Sequence, residues 1–154
     1  MKKIVTSVLV ISVCVVLLAS CSAFGPKTAI TMSTFDTKAE EAGFTVIDAA
    51  NQFGEGEIES VHIAMADNYQ IEFYIVPTEQ QAIAAYNQNK ANFELSKGSG
   101  SSNSETNIAN YSKYTQTSAG MYSVISRIDN TFIYVNADAN YKSEINDFLK
   151  AIGY

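Results

Sequence analysis

His62 is the chain's one imidazole, and Glu55, Glu57 and Glu59 form its tightest run of carboxylates. Imidazole-based acyl transfer needs a nucleophile and an orienting carboxylate close to the ring. No Ser stands in a G-x-S-x-G, and Ser99 and Ser101 lie in a Gly/Ser run rather than at a strand–helix elbow. His62 falls in an alternating stretch beside Glu59, so it reads as an exposed sheet-face residue. Metal chemistry finds no H-E-x-x-H and one His only. Glu55, Glu57 and Glu59 point one way if extended and are the weak candidates for a hard cation. Unscreened, they repel, which makes a solvated acidic loop the simpler reading. Asp138-x-Asn140 begins like a calcium loop but lacks its Gly and distal Glu. A hydrolase working on glycosidic bonds needs just two carboxylates about 5–10 Å apart, and Glu55, Glu57 and Asp67 are the residues for that alternative. No phosphate loop and no G-x-G-x-x-G after a strand occurs. Neither a nucleotide nor any other dissociable cofactor is expected.

Tyr is the other abundant chemical group, at nine residues with no Trp. A Tyr joins large contact area to a polar tip, which suits protein interfaces and sugar stacking, although it is also an ordinary sheet residue. Tyr69, Tyr74, Tyr122 and Tyr134 fall on expected hairpins and are the candidate binding residues.

The N-terminus carries more specific chemistry. Lys2 and Lys3 precede an uncharged apolar run, 4–18. A basic start, an apolar stretch and then small residues make an export signal, and the run is short of the ~20 residues that span a bilayer comfortably. It ends in Leu18-Ala19-Ser20-Cys21, which resembles the lipobox of bacterial lipoproteins. The resemblance covers the first twenty-one residues. It implies that the Cys21 sulfur receives a diacylglycerol, that the bond between Ser20 and Cys21 is cut, and that the new amine is acylated where the host does so. It further implies a lipid-anchored protein on the extracytoplasmic face of the cell membrane. The resemblance also implies that, in a two-membrane envelope, Ser22 rather than Asp after the Cys would favour the outer membrane.

Cys14 would leave with the signal and Cys21 would become a thioether, so the mature chain would hold neither a free thiol nor the disulfides usual in exported domains. Loss of Lys2 and Lys3 leaves eight Lys and Arg against sixteen Asp and Glu, a net charge of −8. Such a surface excludes the basic footprint of a nucleic-acid partner. It also repels anionic lipid, so acyl chains must do the anchoring.

The positioning elements follow from periodicity. Residues 1–20 read as signal peptide, 21–33 as lipidated Cys and flexible tether, and 34–154 as one α+β domain. Thr34 can cap a short helix over 35–42, closed by Gly43. Strands are expected over 44–47, 60–66 and 69–76. A loop of Asp67, Asn68 and Tyr69 would set Val61, Ile63 and Met65 on the same face as Ile71, Phe73 and Ile75. Thr78-x-x-Gln81 is a capping box for a helix with Ala82, Ile83, Tyr86 and Phe93 on its apolar face. Residues 98–107 read as a flexible Gly/Ser loop, followed by strands over 111–117, 120–128 and 131–136. Tyr141, Ile145, Phe148, Leu149 and Ile152 mark the clearest helix. An antiparallel sheet of five or six strands with one face under the two longer helices results. Asp67-Asn68 and Asp129-Asn130 each lead into a strand and helix 62 residues apart, an echo compatible with duplication. The functional expectation is a non-catalytic envelope lipoprotein that binds a protein or wall polymer, with the paired-carboxylate hydrolase as alternative.

Overall fold

Hydroxyl capping decides where the first helix begins. The Thr34 amide donates to Thr31 Oγ1 (3.2 Å), so Thr31 rather than Thr34 is the N-cap. Helix α1 therefore runs Met32–Glu41 instead of opening at residue 35. The computed structural model describes residues 25–54 and 56–154; the signal segment, Ser20, Cys21 and Glu55 lie outside the described residues. After α1 come β1 (Thr45–Asp48), a 3-10 turn (Ala50–Gln52), β2 (Ser60–Met65) and β3 (Gln70–Ile75). Helix α2 (Glu79–Leu95) follows, capped as expected by Thr78, which accepts from the Gln81 amide. Strands β4 (Ser102–Ile108), β5 (Tyr111–Ser118), β6 (Met121–Ile128) and β7 (Thr131–Asp138) precede a 3-10 turn (Ala139–Tyr141) and α3 (Lys142–Ala151). The fold is a single α+β domain on one antiparallel sheet of order β1-β2-β3-β7-β6-β5-β4.

The sheet has seven strands, not five or six. The additional one is β4, which occupies most of the expected 98–107 loop, extends to Ile108 and pairs with β5 from Ser102↔Thr117 to Ile108↔Tyr111. Its Ser-Asn-Ser-Glu-Thr-Asn sequence lacks apolar alternation because an edge strand here is solvated on both faces. Backbone bonding to β5 makes the strand, and Glu105 ties it to α2 through Lys90 (2.6 Å) and the Tyr86 hydroxyl (3.2 Å).

Both sheet faces are covered, which corrects the expectation of one buried face. α1 and α3 lie on one side, over Ala64, Ile71, Phe73, Val124, Ile128, Ile133 and Val135. α2 lies on the other, over Tyr114, Ile125 and Phe132. β6 is accordingly buried from Tyr122 to Ile128 without alternation, as a strand enclosed on two sides must be.

The β2–β3 hairpin reverses through Asp67-Asn68, with the Ala66 amide donating to the Tyr69 carbonyl (2.9 Å). This register pairs Ala64 with Ile71 and His62 with Phe73. It differs by one residue from the three-residue loop expected, so Val61, Ile63 and Met65 face the α2 side, away from Ile71 and Phe73. The two hairpin–helix units are also not a repeat in space. A two-fold axis normal to the sheet would carry β2–β3 onto β6–β7, yet leave both following helices on one face. α2 and α3 occupy opposite faces.

Residues 25–31 are not free tether. The Lys27 amide donates to Asn110 Oδ1 (2.9 Å), and Asn110 Nδ2 donates to the Lys27 carbonyl (2.7 Å) and Asp129 Oδ1 (2.8 Å). Lys27 Nζ donates to the Gly153 carbonyl (2.8 Å) and lies 3.8 Å from the centre of the Tyr111 ring. Ala29, Ile30 and Met32 pack on the core. Asn110→Ala is expected to cost about 1–2 kcal/mol of stability in urea unfolding and to speed protease cleavage near Lys27. Unchanged stability and cleavage would show that this clasp holds nothing.

Candidate functional site

α1 and α3 lie side by side because their apolar stripes meet the same face of the sheet, where Phe35 packs edge-on to Phe148 (6.0 Å). Their outer flanks leave a cleft of about 630 Å³ between them, within the ~300–1,000 Å³ usual for ligand sites. Its inner surface is Phe44 and Phe148, packed edge-to-face at 5.1 Å, with Ala42 and Ala151. Its rim is Lys38 and Glu41 from α1, and Ser143, Glu144 and Asp147 from α3. Lys38 Nζ is held by Glu41 (2.7 Å). Glu144 and Asp147 are exposed and have no ion-pair partner among the described residues.

Tyr69 stands behind this wall, edge-on to Phe44 (5.9 Å) and against the Tyr141 ring (4.9 Å). It is 8% exposed, and its shielded hydroxyl makes no hydrogen bond that meets normal geometry. Glu144 is the carboxylate next to it: burial first, and then that neighbour, push the phenol well above its ordinary pKa.

The expected binding tyrosines do not share a surface. Tyr69 and Tyr122 belong to the core under α1 and α3, where the Tyr122 hydroxyl donates to Asn146 Oδ1 (2.8 Å). Tyr74 and Tyr134 belong to the α2 side. There Tyr74 stacks on Phe132 (4.4 Å) and Tyr134 on Phe93 (5.5 Å).

His62 is half-buried beneath α1, with Nδ1 2.7 Å from Asp36 Oδ1, and so is not the exposed residue expected. Asp48 stands opposite it on β1. A carboxylate orienting an imidazole is part of a triad, but among the described residues no hydroxyl is hydrogen-bonded to that ring.

Glu57 and Asp67 sit beyond opposite ends of β2. Six strand residues span about 20 Å, too far for the ~5–10 Å of a glycosidase pair. Glu57 instead accepts from the Gly54 amide (3.2 Å), and the Glu59 amide donates to the Ile75 carbonyl (2.9 Å). Among the described residues, no three His, Cys, Asp or Glu side chains converge as metal ligands, and no helix is long and apolar enough to cross a membrane.

Glu144 and Asp147 are not among the residues singled out from the sequence, where the last helix is read from its apolar face alone. A signal did exist: both flank the apolar stripe at i and i+3, and Glu40-Glu41 closes the first helix. What periodicity does not supply is that these two helices are neighbours. Lys113 was missed too. Burial, and then the charge of Lys27, push its amine down to about 8, and it donates to the Tyr154 carbonyl (3.2 Å).

No family model matches this chain, and no curated protein matches it. Among solved structures, a GTP binding regulator from Thermotoga maritima is similar at 17% identity and a TM-score of 0.48, covering 82% of this chain and 87% of its own. At that level the likeness supports no conclusion about function.

Proposed function

We propose that this chain is a membrane-anchored, extracytoplasmic lipoprotein whose body is a non-catalytic binding module for a protein or wall polymer of the envelope. The observation that carries the reading is Leu18-Ala19-Ser20-Cys21 at the end of an uncharged apolar run that follows Lys2 and Lys3. The docking of Lys27 supports a short leash. Six residues from Cys21 to Lys27 reach at most about 20 Å, so the turn end of the sheet that carries Asn110 would face the bilayer. Asp67-Asn68 and Ala119-Gly120 close the hairpins at the opposite end. Phe44 and Ala42, at the outgoing end of α1, would open the cleft toward the envelope space.

Replacing Cys21 tests the anchor. The wild-type chain is expected in the membrane fraction with an N-terminal mass that includes diacylglycerol. Cys21→Ala is expected to stay at precursor mass, or to enter the soluble fraction if cut elsewhere. Membrane retention of Cys21→Ala at mature size, or an unmodified Cys21 sulfhydryl in the wild type, would overturn this proposal.

A further inference from the structure

We infer that the cleft between α1 and α3 receives a cationic peptide segment with apolar side chains, presented by another protein; this rests on the binding-module reading above. Two features of the cleft point to that chemistry. Its inner surface is aromatic and aliphatic, with Phe44 and Phe148 in edge-to-face contact at 5.1 Å. Such a floor takes an apolar side chain by removing it from water. Its rim is acidic and uncompensated: Glu41 occupies Lys38, while Glu144 and Asp147 face solvent with no cation against them. At i and i+3 on α3 they are neighbours, with Cβ atoms about 5–6 Å apart, so one ammonium or guanidinium can be shared by both.

The charge of the body selects the same class. Sixteen acidic residues outnumber ten basic ones along the chain, a balance that steers cations inward and turns anions away. Nucleic acid and anionic lipid headgroups are therefore disfavoured in this cleft. A small hydrated cation would gain nothing from the phenylalanine floor. An amphipathic basic segment uses the floor and the rim together, in the manner of a peptide laid into a groove between helices.

The test uses the full chain purified from membranes in an uncharged sugar detergent, with protein-free micelles as blank. A fluorescent twelve-residue peptide alternating Leu and Lys is titrated by anisotropy. Two companions carry Glu in place of Lys, or Ser in place of Leu. The Leu/Lys peptide is expected to bind at least tenfold more tightly than either companion and to weaken as salt rises. The double variant Glu144→Gln with Asp147→Asn is expected to lose at least tenfold. Ala151→Trp, which fills the cleft and keeps every charge, is expected to lose as much. Glu94→Gln on α2 is expected to leave binding unchanged. Thermal melts establish that each variant is folded. Equal affinity of wild type and the double variant, binding of the Glu companion as tight as the Lys one, or displacement of the peptide by wall-glycan fragments at lower concentration would each overturn the assignment. The mass of the same preparation separates the two proposals. A missing acyl group rejects the anchor alone, and lost selectivity on acylated protein rejects the cleft alone.

Discussion

Ile145→Asp is expected to remove the cooperative unfolding transition of the domain. Ile145 is fully buried in the cluster under α1 and α3, together with Phe35, Phe73, Val124 and Leu149. Truncating such an aliphatic costs about 2–5 kcal/mol. Placing a carboxylate there adds several kcal/mol of desolvation with no cation to meet it. A domain of this size holds about 5–15 kcal/mol in total. No disulfide backs it up, because both Cys precede residue 25. Circular dichroism melts at pH 7 are expected to show a non-cooperative baseline. The loss should shrink near pH 3, where the introduced acid is held neutral by its surroundings. An unaltered melting curve would mean that α3 does not pack on the sheet.

The same residue shows what could be read in advance. Ile145, Phe148, Leu149 and Ile152 repeat at helical spacing, and all four are buried. A 3.6-residue period is a property of the segment itself. The caps followed for the same reason where one hydroxyl had one amide in reach, as at Thr78. At the first helix two threonines competed, and Thr31 took the cap because the turn begins there. Properties that depend on partners did not follow. The apolar alternation of Val61, Ile63 and Met65 reads as one buried face, but only Val61 is fully buried. A two-residue hairpin turned that row toward α2, which leaves Met65 40% exposed and Ile47 39% exposed on the same side of neighbouring strands. β4 was invisible because its side chains carry no pattern and its hydrogen bonds belong to β5. The cleft has the same character: each wall is legible on its own helix, whereas their adjacency arises from which sheet face each helix covers.

Tyr114→Ala probes the other face and is expected to cost about 3–5 kcal/mol. Tyr114 is the largest of the fully buried side chains and lies in the cluster with Tyr86, Phe93 and Ile125. Its hydroxyl donates to Gln116 Oε1 (3.0 Å), and Gln116 Nε2 donates to the Phe93 carbonyl (2.8 Å) near the end of α2. Truncation therefore opens a cavity and strands a buried acceptor at once. Tyr114→Phe, which keeps the ring, is expected to cost about 1–2 kcal/mol and separates the two contributions. Val124 faces α1 and α3 while Ile125, its neighbour on β6, faces α2. Loss on the α2 side should therefore be felt on the other face through one strand. Urea unfolding of Tyr114→Ala, followed by far-ultraviolet circular dichroism and by tyrosine fluorescence, is expected to give coincident single transitions displaced to lower urea. Two separated transitions would show that α2 and its strands melt apart from the α1–α3 layer, and the sheet would then be two cooperative units sharing a backbone.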